Sequence, residues 1–168
     1  QQKPLLTTGF PAWLGNRFVE LLAKQFAEDP DSARKVHLLV QPSHKQSLPS
    51  LPANFKIFIG DISNPESLAQ ALDGVETVYH LAGVIYPHDL SLFEKINAQG
   101  TSNLADAAVR AGVRRFLFMS TDSTVGFSRD GKLFDHSTPD SPYKAYGKSK
   151  WKAEQYLRTL HAEGRLDL

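Results

Sequence analysis

Cysteine is absent from the 168 residues of the chain. Disulfide frameworks, thiolate zinc sites and cysteine nucleophiles are thereby excluded, and the composition suits a reducing compartment, with the cytoplasm as the expectation. Long apolar runs are also missing. No segment reaches the length of a transmembrane helix and no basic-then-apolar leader opens the chain, so a soluble protein with no membrane span is expected. Neither sign of charge dominates: Lys and Arg number 19 against 18 Asp and Glu, a formal net charge of +1. Such a balance creates no field to recruit nucleic acid or an anionic membrane. The 6 histidines lack a helical pairing with carboxylates, so no metal site is indicated. There is no internal repeat. Gln1-Gln2-Lys3-Pro4 opens the chain without an initiator Met, which raises the expectation of a trimmed or partial product.

What is present is a globular composition, 41% hydrophobic and 22% charged, over a length suited to one domain. Strand-like and helix-like segments alternate. Leu5–Thr8 is a short apolar run ending at Gly9, and Leu14, Phe18, Leu21, Leu22 and Phe26 then recur at helical spacing from Trp13 onward. Val36–Val40 and Phe55–Ile59 are further buried-strand candidates, separated by a Ser/Pro-rich loop from Pro42 to Pro52. Asn64-Pro65-Glu66 carries a helix-start order, with a capping Asn and Pro in the first turn, and predicts a helix to about Leu72. Glu76–Leu81 is a fourth strand. A long helix is predicted from Leu90 to Ala111, stopped by Gly112, then a fifth strand at Arg115–Met119. A loop-rich stretch from Thr121 to Pro142 precedes a last helix over Tyr143–Glu163, and Arg165–Leu168 reads as the start of a sixth strand. Near-continuous apolar strands alternating with helices predict a doubly wound parallel α/β sheet of Rossmann type, helices on both faces, with its C-terminal part missing from residues 1–168.

Between the first strand and first helix lies Thr8-Gly9-Phe10-Pro11-Ala12-Trp13-Leu14-Gly15. A turn placed there aims backbone N–H groups and the helix dipole at a pyrophosphate. Gly9 permits the tight turn and Gly15 the close packing of helix on strand, while Ala12 puts a methyl where close backbone approach is usual. Tyr146 and Lys150, four residues apart, share one face of the last helix. A phenol titrates near about 10, and a neighbouring ammonium favours the phenolate and should lower that value. The residues ending the second strand, Gln41-Pro42-Ser43-His44-Lys45, include no acid. An acid there would repel a ribose 2′-phosphate, so NADP(H) is favoured with NAD(H) possible, and Lys45, His44 or Arg17 are the candidate phosphate partners.

These segments resemble the extended short-chain dehydrogenases/reductases and the related NAD(P)-dependent epimerase/dehydratase group. The glycine loop is similar to the family's Thr-Gly-x-x-Gly-x-x-Gly signature. Gly60-Asp61-Ile62-Ser63, His80-Leu81-Ala82-Gly83, Asn97 before Gly100-Thr101, Ser120-Thr121 and Tyr146-Gly147-Lys148-Ser149-Lys150 follow in the family's order. The resemblance implies dinucleotide contacts from Gly9, Pro11, Ala12, Trp13, Leu14, Gly15, Gln41, Lys45, Asp61, Ile62, Leu81, Ala82, Gly83, Tyr146 and Lys150. Asp61 would meet the adenine amino group and Lys150 the nicotinamide ribose. It implies a catalytic set of Thr121, Tyr146, Lys150 and Asn97, in which Tyr146 exchanges a proton with a substrate oxygen that Thr121 also holds. Thr121 is favoured over Ser120, with Ser123 as the outside candidate, and His80 reads as a satisfied core histidine.

Three functions stay open: an NAD(P)-dependent oxidoreductase interconverting an alcohol and a carbonyl on a small organic substrate, a nucleotide-sugar epimerase or dehydratase using bound NAD, and a non-catalytic dinucleotide-binding relative. The family's habit of pairing two helices across a dimer axis adds a possible homodimer through Leu90–Ala111 and Tyr143–Glu163. Trp151, Tyr156 and Leu160 supply apolar bulk on the second of these.

Overall fold

The computed structural model describes residues 2–128, 131, 133–135 and 137–168. Five strands, β1 (Leu5–Thr8), β2 (Val36–Val40), β3 (Phe55–Ile59), β4 (Thr77–His80) and β5 (Arg115–Phe118), form one sheet in the order β3-β2-β1-β4-β5. Every pairing is parallel. The β1 and β2 strands are buried along their whole length, as strands covered on both faces must be. One core lies beneath α1 (Trp13–Glu28) and contains Leu5, Val19, Phe26, Val36 and Phe55. The other lies beneath α2 (Ala69–Leu72), α3 (Thr101–Arg110) and α4 (Lys144–Ala162) and contains Leu6, Leu72, Leu104, Phe116, Leu157 and Leu160.

The expected architecture is present, with differences at particular elements. The predicted 64–72 helix is split. Asn64 does cap it, accepting from the Glu66 amide at 3.3 Å, but Pro65–Ser67 is a tight 3₁₀ turn before the short α2. The predicted loop after β2 begins with a 3₁₀ turn, Pro42–Ser47. The long helix before β5 is wound loosely, with π geometry, over Phe93–Gly100 before α3 continues it. Sequence periodicity does not reveal such a change of winding, because the same residues stay apolar. The expected sixth strand is present as a single parallel bridge, Arg115 to Asp167, where the Phe116 amide donates to the Asp167 carbonyl at 2.8 Å.

The three α4 side chains expected to support a dimer are engaged within the chain. Leu160 is buried in the core, the Tyr156 hydroxyl donates to Asp106 on α3 at 2.6 Å, and the Trp151 indole donates to Asp140 at 2.9 Å. Leu160 is thus spent in the core, while Tyr156 and Trp151 use their polar tips within the chain and stay partly exposed. Among the described residues no helix is long and apolar enough to cross a membrane, and no cluster of three or more metal-ligating side chains occurs.

Candidate active site

The chain steps outward from β1 to β2 and β3, then returns to β4 on the other side of β1. That reversal opens a crevice at the carboxyl ends of β1 and β4, the place where open α/β sheets accept ligands. The crevice holds a cleft of about 200 Å³ lined by Gly9, Ala12, Gln41, His44, Gly60, Ile62 and the Leu81–Val84 segment, among others. Gly9, Ala12, Gln41, Ile62, Leu81, Ala82 and Gly83 were expected around one ligand, and the fold brings them together.

The floor of the cleft depends on the glycines of the first turn. A Cβ at Gly15 would land on the Gly9 carbonyl oxygen and 2.6 Å from the Phe10 nitrogen, all backbone that has no room to yield. Gly9 itself has φ +89°, a conformation other residues rarely adopt. Helix α1 therefore starts directly against the end of β1. Ala12 occupies its N-cap with no side-chain cap, so first-turn N–H groups are left for an outside acceptor. The Trp13 side chain points away, 84% exposed, and Pro11 and Leu14 stand partly exposed beside the turn.

At the far end of the cleft the second-strand residues divide. His44 lines it, whereas Lys45 does not. Successive residues of a 3₁₀ turn point about 120° apart, so only one of two neighbours can face the cleft. Arg17 is occupied on the surface of α1 by Glu20 at 3.1 Å. Asp61 closes its own turn, one carboxylate oxygen accepting from the Ser63 amide at 2.8 Å.

His80 is fully buried and satisfied on both ring nitrogens, with Thr8 Oγ1 2.8 Å from Nδ1 and Thr101 Oγ1 2.9 Å from Nε2. The Thr101 hydroxyl donates to the Asn97 carbonyl at 2.7 Å, so Nε2 carries the ring proton and Nδ1 accepts from Thr8. Thr8 Oγ1 in turn accepts from the Ala82 amide at 3.0 Å. Burial, with the Lys150 charge adding to it, pushes His80 down to about 3. The expectation of a core histidine is met.

Helix α4 delivers Tyr146 and Lys150. It approaches the Ser120–Thr124 loop closely because residue 147 is glycine: a Cβ there would collide with the Ser123 carbonyl oxygen. The Tyr143 amide donates to that same oxygen at 2.9 Å. This approach brings the Thr121 side chain beside the Tyr146 phenol, while the Thr121 hydroxyl lies 3.2 Å from Asp122 Oδ1 and 3.3 Å from Ser123 Oγ. Ser120 turns the other way and donates to Glu154 on α4, which separates it from the group that Thr121 and Tyr146 form. Ser123 stays near, its Oγ 3.3 Å from Thr121 Oγ1.

Lys150 is 4% exposed, with Nζ 4.0 Å above the Phe118 ring. Burial pushes its ammonium down to about 8, partly opposed by Glu154. The phenol departs from the sequence expectation. Burial raises Tyr146 above its ordinary value; the Thr121 hydroxyl opposes this and the Asp122 carboxylate adds to it, while Lys150 is not among the causes. Four-residue spacing gives a shared helix face, not a contact, and the ammonium here sits against Phe118.

Asn97, expected in the catalytic set, is 1% exposed and fully engaged. Its Oδ1 accepts from the Val84 amide at 2.8 Å, and Nδ2 donates to the Val84 carbonyl at 2.9 Å and to Ser149 Oγ at 3.1 Å. It holds the backbone that follows Gly83. The sequence reading missed two residues, Gly147 and Asp122. The Asp122 carboxylate lies 3.2 Å from Thr121 Oγ1, and the only sequence signal for it is its place directly after Ser120-Thr121.

The model of the NAD dependent epimerase/dehydratase family matches residues 5–168. The chain is 38% identical over 103 residues to N-acetyl-alpha-D-glucosaminyl-diphospho-ditrans,octacis-undecaprenol 4-epimerase of Escherichia coli O157:H7, covering 60% of this chain and 30% of that protein. It is 32% identical over 171 residues to 3 beta-hydroxysteroid dehydrogenase type 7 of Rattus norvegicus, covering 97% and 49%. Among solved structures, DesIV, a dTDP-glucose 4,6-dehydratase from Streptomyces venezuelae with NAD and TYD bound, superposes with TM-score 0.82 at 30% identity, covering 98% of this chain and 53% of that one. The chain thus spans about half the length of the curated relatives that it matches end to end.

Proposed function

The chain belongs to the NAD dependent epimerase/dehydratase family, and on that premise we propose that residues 1–168 form the dinucleotide-binding and proton-transfer part of an enzyme that interconverts a secondary alcohol and a carbonyl. The observation that carries this is the close packing of α4 on the Ser120–Thr124 loop at Gly147, which puts Tyr146 beside Thr121, with Lys150 buried one helical turn further on.

The residues present suit a dinucleotide. Gly9 and Gly15 let the first turn close tightly on the 81–82 backbone and on itself, the uncapped start of α1 offers N–H donors to a pyrophosphate, and Asp61 keeps a carboxylate oxygen beyond the one used in its own turn. Pro11, Trp13 and Leu14 would contribute through the turn they form, and Gln41, Ile62, Leu81, Ala82 and Gly83 through the cleft wall. The nicotinamide, when bound, supplies the hydride acceptor or donor. No acid follows β2 and His44 faces the cleft, which favours acceptance of a 2′-phosphate and hence NADP(H) over NAD(H). NAD is the cofactor named with DesIV.

Moving a hydride to or from an alcohol carbon requires a proton to leave or reach its oxygen. Tyr146 is the group to exchange that proton. A phenol raised by burial favours its protonated form, ready to donate to a carbonyl oxygen, while Thr121 polarises the same oxygen by its hydroxyl. Lys150, buried one turn further along α4 against Phe118, is the residue proposed to hold the nicotinamide ribose.

The substrate class proposed is a nucleotide-linked sugar, transformed by epimerisation or elimination with the dinucleotide regenerated in each turnover. Two observations favour it: the similarity to a dTDP-glucose 4,6-dehydratase, with the epimerase relative supporting a diphosphate-linked sugar more generally, and Asp122, a second acid/base group beside Thr121 that simple carbonyl reduction does not require. The similarity to a hydroxysteroid dehydrogenase supports the second reading, net oxidation of an alcohol. Incubating the full-length protein with nucleotide-diphospho-sugars and following both product and dinucleotide absorbance separates them. Product without net dinucleotide reduction supports the first, and stoichiometric reduction supports the second. No turnover of sugars or of a panel of alcohols and carbonyls refutes both.

A further inference from the structure

Ser149 has no part in the chemistry described above, yet it is 2% exposed and engaged on two sides. Its hydroxyl donates to the Tyr146 carbonyl at 2.7 Å and accepts from Asn97 Nδ2 at 3.1 Å. Asn97 uses the rest of its amide on both backbone groups of Val84. Between these lies Gly83, where an added Cβ would sit 3.2 Å from Asn97 Oδ1 and 3.9 Å from Lys150 Nζ. The loosely wound Phe93–Gly100 segment bears Asn97, and its carbonyl is held by Thr101 and, through it, by His80. Hydroxyl, amide and imidazole therefore link the end of β4, the 82–84 segment and the first turns of α4.

We propose that Ser149 is a positioning residue that locks the 82–84 wall of the cleft to the helix turn carrying Tyr146 and Lys150, so that dinucleotide seat and proton donor keep one relative placement. The part concerning the seat rests on the dinucleotide reading. Ser149→Ala removes the acceptor through which, among the described residues, the Asn97 amide is bonded to α4, and leaves the small side chain's volume nearly unchanged. A buried amide donor that loses its partner reorients, and the Val84 bonds loosen with it.

The test compares wild type, Ser149→Ala and Ser149→Thr in the full-length protein. Amide hydrogen exchange is read without ligand, and binding of NADP⁺ and of NAD⁺ by calorimetry. In Ser149→Ala the Val84 amide is expected to exchange about tenfold faster, the equivalent of one net hydrogen bond. Core β1 and β2 amides should be unchanged, whichever of NADP⁺ and NAD⁺ the wild type binds should bind about tenfold more weakly, and Ser149→Thr should restore both readouts. Unaltered Val84 exchange, uniform acceleration over the whole protein, or unaltered affinity for the dinucleotide that the wild type binds despite faster Val84 exchange overturns the proposal. If the wild type takes up neither NADP⁺ nor NAD⁺, the dinucleotide reading falls on its own, while the exchange comparison still decides whether Ser149 holds the wall.

Discussion

Lowering the pH from 7.5 to 5 should destabilise this fold through one residue, His80. Its imidazole titrates at 6.5 in an unfolded chain and is pushed down to about 3 in the fold, mainly by burial. The folded state therefore keeps the ring neutral throughout this range while the unfolded state takes up a proton. For a group whose folded value is depressed in this way, stability is fully present above 6.5 and is lost as the pH falls towards 3. At pH 5 the unfolded chain gains about 2 kcal/mol from protonating one such histidine, and almost nothing at pH 7.5. The hydrogen-bond chain agrees with the direction, because Nδ1 already accepts from Thr8, whose oxygen is committed to the Ala82 amide. Urea unfolding at the two pH values measures the effect, which corresponds to about 1 M in midpoint for a chain of this size. Other groups also titrate, so the quantity to read is the difference between wild type and His80→Asn. The variant should be less stable at pH 7.5 but lose about 2 kcal/mol less between the two pH values. Equal losses in the two proteins would refute the assignment of a neutral, unprotonatable His80.

Three further outcomes are expected. Gly15→Ala should destabilise the fold by about 1–3 kcal/mol, because its methyl meets the Gly9 carbonyl and Phe10 nitrogen and neither can move cheaply; an unchanged thermal midpoint contradicts the close approach. NADPH should bind the full-length protein more tightly than NADH, since no acid follows β2, and calorimetry giving equal or reversed affinities removes that preference. A homodimer across the helices of Leu90–Ala111 and Tyr143–Glu163 predicts a doubled mass by light scattering at micromolar concentration. A monomer mass dismisses it.

Much of the architecture is legible in the residues because the strands are short apolar runs closed by glycine or proline. Leu5–Thr8, Val36–Val40 and Phe55–Ile59 coincide with the strands found. The first turn is legible for a related reason: Gly9 and Gly15 answer to backbone constraints that no other residue meets there. What escapes the sequence is set by tertiary contact. The winding of Phe93–Gly100 is invisible to periodicity, yet it is what carries an inward-facing Asn97 to Val84. His44 and Lys45 are equivalent as neighbouring bases in sequence, and only the turn after β2 distinguishes them. The separation of Ser120 from Thr121 depends on Glu154, which lies on α4 and has no local signature. The Tyr146 phenol was misjudged because helical spacing reports a shared face and says nothing of the burial that governs its proton affinity.

The central claim, that this chain carries a dinucleotide beside a Tyr146 proton donor, is tested most directly by Tyr146→Phe in the full-length protein with a confirmed substrate. The substitution removes one oxygen and leaves the ring in place near Phe93, with centroids 6.0 Å apart. Dinucleotide affinity should be retained, since neither the Gly9–Gly15 turn nor Asp61 depends on that hydroxyl. Turnover should fall by roughly two orders of magnitude or more, the scale expected for a lost general acid. Full turnover in Tyr146→Phe would contradict the account and leave the dinucleotide cleft serving some other chemistry.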